Sequence, residues 1–186
     1  VTNYTLHKAL YSGHNDHNYF EIAHTVKRLY EMGGNRTEGL RLYNFTDNHD
    51  VERIYTKLNK KEHFTPVHIL LYTLPGVPSI YYGSEFGIEG RKERFSDDSL
   101  RPSLSLSDYA GAVEKNPCTR LIAALGRVRQ QTPALSYGDY KELLKELADA
   151  VDFGTPLSAA MKENGSFPVY VCGLIEVGER TGRTEE

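Results

Sequence analysis

The sequence has no tryptophan, only two cysteines and two methionines, and no apolar run long enough to cross a bilayer. Cys118 and Cys172 lie far apart without metal-ligand spacing, which argues against a disulfide scaffold or a zinc ribbon and favours free thiols in a reducing, cytoplasmic setting. No basic and apolar leader follows Val1, so the expectation is that the true amino terminus lies upstream and that this start carries no targeting information. A surplus of positive charge is missing as well. Lys and Arg number 22 against 25 Asp and Glu, a formal net charge of -3, which gives no electrostatic reason to expect nucleic acid as a partner, since phosphate neutralisation calls for a clustered basic face.

What is present describes a folded globular chain: 39% hydrophobic residues, 25% charged, and an aromatic set of 13 Tyr and 7 Phe. Tyrosine packs a flat apolar ring while its hydroxyl hydrogen-bonds at the rim, which suits a sugar-binding surface and equally a protein core. Asn3, Asn35, Asn44 and Asn164 each stand in an Asn-x-Ser/Thr pattern, but Asn44 falls inside an apolar run that reads as a buried strand.

Along the chain, residues 4–11 read as a strand and the polar stretch 12–17 as a loop leading to a helix cap. From 18 to 32, Phe20, Ile22, Ala23, Val26, Leu29 and Tyr30 recur at helical spacing, and Gly33-Gly34 stops the helix. A second strand is expected over 40–45, then a polar segment over 46–50 and a helix over 64–74 stopped by Pro75-Gly76. A third strand over 77–82 follows, with Pro78 near its start, and a helix over 119–131 carries Leu121, Ile122, Leu125 and Val128 on one face. Strand and helix alternating in this way predict an α/β fold with a parallel sheet and right-handed crossovers. The loop over 83–117 is too long to be a mere connector and is a candidate binding loop, with Arg91, Arg94, Asp97, Asp98 and Arg101 read first as a surface ion-pair network. Beyond residue 131 a helix is expected over 140–151, a strand over 167–177, and a disordered tail from 178.

The cluster that could carry chemistry is Asn44-Phe45-Thr46-Asp47-Asn48-His49-Asp50, an apolar strand ending in polar and ionisable side chains. The carboxyl end of a parallel strand opens onto the shared site of an α/β array, so these groups should reach whatever binds there. The competing reading is that Asp47, Asn48 and Asp50 only make turn and cap hydrogen bonds. His14, Asn15, Asp16 and His17 invite a metal-site reading with Asp50, but a polar loop with a helix cap fits better, and no metal or other cofactor is expected.

Phe45-Thr46-Asp47-Asn48-His49-Asp50 resembles the fourth conserved segment of the alpha-amylase family, at the end of its seventh barrel strand. Pro75-Gly76-Val77-Pro78-Ser79-Ile80-Tyr81-Tyr82-Gly83-Ser84-Glu85 resembles the family's eighth strand, in the order and at the separation a barrel requires. The resemblance runs from about residue 2 to 140, where Tyr137-Gly138-Asp139-Tyr140 is similar to the start of the family's following β domain. It implies the C-terminal portion of a (β/α)8 TIM barrel, strands six to eight, over residues 1–136, with 137–186 the start of a C-terminal domain or an irregular tail. At 186 residues the chain is short of the roughly 250 of a complete barrel.

The implied function is that of a retaining glycosidase acting on α-linked glucans or maltooligosaccharides. Asp50 would be the transition-state stabiliser, with His49, Asn48, Tyr82 and Glu85 binding substrate. Glu85 has an alternative role, bracing the rim by pairing with an arginine. Retention needs a nucleophilic carboxylate and a carboxylic acid roughly 5 to 5.5 Å apart, and no Arg-x-Asp after an apolar strand and no spare Glu supply them here. The expectation is therefore that the isolated chain is inactive and that its partners are an α-glucan and a missing N-terminal barrel half or another chain. The alternative is a non-catalytic fragment or interaction module of barrel-like α/β fold.

Overall fold

The computed structural model describes residues 1–31, 41–137, 140–165, 167 and 169–181. The chain divides into two compact units, Val1–Gly138 and Asp139–Glu186.

The first unit opens with two helices, α1 (Tyr4–Asn15) and α2 (Tyr19–Glu31). The strand expected over residues 4–11 is thus a helix. Asn3 accepts a hydrogen bond from the Leu6 amide at 3.0 Å and caps the first turn. Leu6, Ala9, Leu10, Gly13 and His14 then fall on one buried face at spacings of three and four. The run is short, and its helical stripe continues into residues 12–14, which were read as a loop. For α2 the helical spacing was the right guide, while the expected stop at Gly33-Gly34 lies outside the described residues.

A parallel two-stranded sheet follows, β1 (Tyr43–Phe45) and β2 (Val77–Ser79), in register Tyr43 to Val77, Asn44 to Pro78 and Phe45 to Ser79. An isolated parallel bridge joins Thr2 to Tyr43 on the other side of β1. The Tyr43 amide donates to the Val1 carbonyl and the Asn3 amide to the Tyr43 carbonyl, each at 2.9 Å. Of three expected strands, then, two form, and the first is reduced to this bridge ahead of α1. Both strands are shorter than their apolar runs. Beyond Ser79 the backbone turns away, and the Tyr82 carbonyl is held by the guanidinium of Arg53 at 2.6 Å rather than by a neighbouring strand.

Between the strands lie a single turn of helix, α3 (Ile54–Lys57), a 3-10 turn over Lys61–His63, and α4 (Phe64–Thr73). After β2 come 3-10 turns at Ser84–Phe86 and Leu106–Tyr109 and a short helix α5 (Ala112–Lys115). The long helix α6 (Pro117–Gln131) is capped by Asn116, which accepts from the amides of Cys118 and Thr119, and Pro117 stands at its first turn. A short α7 (Pro133–Tyr137) ends the unit. Leu6, Leu10, Ile54, Leu58, Phe64, Val67 and Cys118 form its core, with Leu121 and Ile122 of α6 packed against it. The apolar face expected on α6 ends there, because Val128 is exposed.

Two glycines are required by close approach. Gly76 adopts φ +120, and a Cβ there would lie 2.6 Å from Asn44 Nδ2 and 2.7 Å from the Leu42 carbonyl. A Cβ on Gly90 would meet the Ser99 carbonyl at 2.3 Å and Arg53 Cγ at 2.9 Å.

The second unit contains α8 (Tyr140–Asp152), α9 (Leu157–Asn164) and α10 (Val169–Thr181), with Leu147, Ala160, Met161 and Cys172 as its core. The strand expected over 167–177 and the first part of the tail expected from 178 give way to α10, whose helix continues to Thr181, while the rest of that tail lies outside the described residues. The β-branched and aromatic composition misled there. Val171, Cys172 and Ile175 meet the core at helical spacing. The described residues after 139 hold no strand of the β domain that Tyr137-Gly138-Asp139-Tyr140 resembles. Cys118 and Cys172 are both free and buried, one in each unit. No helix among the described residues is long and apolar enough to cross a membrane.

Candidate functional site

A cavity of about 390 Å³ opens at the carboxyl ends of the two strands. The loop after β1 lines it with Asp47, Asn48, His49 and Asp50, the turn after β2 with Ile80 and Tyr81, and Thr2, Tyr4, Tyr43 and Ser79 complete the wall.

Each element fixes its share of this wall through buried polar contacts. Asn3 donates from Nδ2 to Oδ1 of Asn44, and Asn44 donates from Nδ2 to the Pro75 carbonyl, both at 2.9 Å, so paired amides tie the bridge, β1 and the start of β2 together. His7 of α1 contacts the Thr46 carbonyl through Nδ1 at 2.7 Å, and its ring stacks on Phe45 at a centroid distance of 5.0 Å. Burial pushes the His7 imidazole down to about 4 against the rise its carbonyl contact favours, so the ring is neutral at pH 7 with Nδ1–H as donor.

Asp47 is buried at the base of the loop. It accepts from the Ile54 amide at 2.8 Å, and the Ser84 hydroxyl sits 2.7 and 2.9 Å from its two carboxylate oxygens. Arg53, fully buried, donates from Nη1 to Ser84 Oγ at 3.0 Å and from Nη2 to the Leu100 carbonyl at 2.7 Å. Its guanidinium lies over the Tyr81 ring at 4.4 Å. Burial raises the Asp47 carboxyl above the usual carboxylate value, opposed by the Ile54 and Ser84 hydrogen bonds and the charge of Arg53 and reinforced by Glu85.

Above this base the loop is half exposed. The Asp50 amide donates to Asn48 Oδ1 at 2.8 Å, closing a tight Asx turn, and Asn48 Nδ2 donates to the Tyr4 hydroxyl at 3.2 Å. His49 Nε2 lies 3.3 Å from Asp50 Oδ2, with the two side chains 54% and 51% exposed. An imidazole and a carboxylate side by side at a cavity mouth can hydrogen-bond neighbouring hydroxyls and place negative charge against a developing cation. The turn-and-cap reading of Asp47 and Asn48 therefore holds in part, since these two build the scaffold, while His49 and Asp50 face the opening.

Tyr82 and Glu85 do not line this cavity. Tyr82 donates its hydroxyl to the Pro102 carbonyl at 3.0 Å and packs edge-on against Tyr81. Oε2 of Glu85 is buried without a hydrogen-bond partner, and Thr119 donates its hydroxyl to the Glu85 backbone carbonyl at 2.8 Å. His14 is buried on the Leu10 carbonyl of its own helix, and no grouping of metal-ligand side chains occurs among the described residues. In the long loop, Asp97 pairs with Lys92 and Arg101 at 3.2 and 3.3 Å, in keeping with a surface network. The sequence reading passed over Tyr4, His7, Tyr43, Arg53, Tyr81 and Ser84. For Arg53 a signal existed, an arginine three residues beyond the polar cluster and directly before the apolar Ile54.

Residues 1–138 match the family model "Alpha amylase, catalytic domain", and residues 119–186, less than half of the chain, match "Type II secretion system (T2SS), protein F". Over 136 residues the chain is 34% identical to the cyclomaltodextrin glucanotransferase of Bacillus sp. (strain 38-2) and 30% identical to that of Niallia circulans, covering 70% of this chain and 18% of each relative. The crystal structure of CldA, "the first cyclomaltodextrin glucanotransferase with a three-domain ABC distribution", superposes with a TM-score of 0.56 at 27% identity, over 73% of this chain and 25% of that one. The chain thus spans about a fifth of the length of the curated relatives it matches. With a parallel sheet whose carboxyl ends carry the Asn-His-Asp rim, and a family model covering most of its length, the chain belongs to the alpha-amylase family of glycoside hydrolases and forms part of that family's TIM-barrel catalytic domain.

Proposed function

We propose that this chain contributes strands six to eight of a retaining α-glucan-active barrel, with residues 1–136 as the barrel portion and 137–186 as a separate C-terminal segment. In this reading Asp50 stabilises the oxocarbenium-like transition state and His49 hydrogen-bonds the same sugar. Asn48 orients Asp50 through the Asx turn. The observation that carries the reading is the half-exposed His49 and Asp50 pair, 3.3 Å apart, at the mouth of a 390 Å³ cavity at the strands' carboxyl ends.

The glucan class follows from relatives named as cyclomaltodextrin glucanotransferases. Tyr4, Tyr43 and Tyr81 offer ring faces along the cavity wall, so Tyr81 takes the aromatic contact expected of Tyr82. The nucleophile and the acid come from polypeptide outside these 186 residues. The cavity is therefore the stabilising side of the site rather than a complete catalyst.

Titration of the 186-residue chain with maltoheptaose by calorimetry tests the assignment. A hydrogen bond to a charged group contributes about 1.5–3 kcal/mol, so Asp50→Ala and His49→Ala should each weaken binding by roughly tenfold or more. Absence of binding by the wild-type chain, or binding by either variant as tight as that of wild type, overturns the proposal.

A further inference from the structure

Three buried side chains behind the cavity are more costly than the fold alone demands. Arg53 and Asp47 carry opposite charges in the interior, and one hydroxyl, that of Ser84, stands between them. Burying such charges is unfavourable unless each is hydrogen-bonded, and a pair of this kind is rarely the most stable way to fill a core. Its connections join the loop that bears His49 and Asp50 to the segments that follow β2. Asp47 begins that loop and takes the amide of Ile54 at its end, so the carboxylate closes the loop on itself. Arg53, just before Ile54, fastens the same end to the turn after β2 through the Tyr82 carbonyl and Ser84, and to the long loop through the Leu100 carbonyl. Gly90 leaves the gap through which the arginine stem passes, and the Arg53 amide donates to the Gly90 carbonyl at 3.0 Å. The guanidinium also lies under Tyr81, whose ring is part of the cavity wall.

We infer that Asp47, Ser84 and Arg53 are positioning residues, a buried clasp that holds the Asn48–Asp50 rim and the Tyr81 ring in one geometry for a bound glucan. The inference rests on the glucan-binding reading above. Ser84 is its central member, because its hydroxyl donates to Asp47 while accepting from Arg53. The charged groups facing the Asp47 carboxylate are Arg53 and Glu85, and the Ile54 amide and the Ser84 hydroxyl are its hydrogen-bond donors. Protonation of Asp47 gives the carboxyl an O–H of its own and so re-orders the hydrogen bonds it makes with the Ile54 amide and Ser84, changing the rim geometry that a glucan meets. Loss of the Ser84 donor makes that protonation easier and brings the change to a higher pH.

The experiment is maltoheptaose affinity of the 186-residue chain measured from pH 4 to pH 8 for wild type, Ser84→Ala, Ser84→Thr and Asp50→Ala, with thermal melts run alongside. The expected result is an affinity some tenfold lower for Ser84→Ala, an acid limb displaced to higher pH, and recovery of both by Ser84→Thr, which keeps the hydroxyl. A variant that only lost packing would bind less without moving the acid limb. Should Ser84→Ala not fold, NMR of the wild-type chain decides: the Ile54 and Asp50 amides must shift with the same midpoint as the Asp47 carboxyl carbon. An unmoved acid limb in folded Ser84→Ala, or an Asp50 amide indifferent to Asp47, overturns the clasp. If wild type does not bind while the amides still follow Asp47, the glucan reading fails and the clasp's grip on the loop survives.

Discussion

At the scale of single residues, the half-exposed pair His49 and Asp50 at the cavity mouth stands apart from the buried Asp47, Arg53 and Ser84 beneath their loop. His49 and Asp50 were singled out in the sequence by resemblance to the alpha-amylase segment ending in Asn-His-Asp, since composition alone left turn and cap hydrogen bonds as an equal use for Asp50. Arg53 and Ser84 were not, because a lone arginine and a lone serine have ordinary surface roles, and only the coordinates show both buried and joined. Tyr81 and Tyr82 illustrate the same limit. Adjacent tyrosines are equivalent in composition, and which ring faces the cavity depends on where β2 ends. Gly76 yields a prediction at this scale. Its φ of +120 and the 2.6 Å approach to Asn44 leave no room for a methyl group. Gly76→Ala should lower the unfolding free energy by about 2 kcal/mol or more in urea denaturation, and an unchanged midpoint would show that the Asn44 amide can move aside.

The elements were read well where one periodicity dominated and badly where composition competed with it. The helices α2, α4 and α6 matched their spacing to within a few residues, since an apolar stripe facing one core admits a single period. Both failures turned a helix into a strand. In α1 the cap at Asn3 starts a helix where a short apolar run was read as a strand, and in α10 burial of Cys172 against α9 outweighs the β-branched content. Two cap predictions follow. Asn116→Ala removes the acceptor for two amides at the start of α6 and should cost about 1 kcal/mol. Asn3→Ala removes the cap of α1 and also the amide partner of buried Asn44, so its cost should exceed that of Asn116→Ala. Equal destabilisation of the two variants by urea denaturation would show that the Asn3 to Asn44 bond contributes nothing.

For the whole molecule, acid is the telling variable. Burial lowers both His7 and His68 to about 4, from an ordinary 6.5. A base with a depressed folded value adds its full stability above pH 6.5, where it is neutral folded and unfolded alike, and loses it as the pH falls toward 4 while only the unfolded chain takes up protons. At about 1.4 kcal/mol per pKa unit, the two histidines together would remove several kcal/mol between pH 7 and pH 4. Asp47 acts in the opposite sense: its raised carboxyl favours the fold below its unfolded value, and that contribution is lost as the pH rises through the folded one. On the account of the two histidines, urea midpoints should decline below pH 6.5, and replacing His68 with Gln should flatten the decline. A midpoint unchanged between pH 7 and pH 5 would contradict the burial of both rings.

The paired amides of Asn3 and Asn44 have a practical consequence for producing the protein. Both asparagines stand in oligosaccharide-acceptor patterns, yet in the folded chain each is almost fully buried and they bond to each other. A eukaryotic secretory host would meet these sites on the nascent chain before the pair closes, and a glycan on either amide would keep α1 from docking on β1. Material from such a host should split into a folded fraction free of glycan at Asn3 and Asn44 and an aggregating fraction that carries it there, whereas bacterial cytoplasm should give a single species.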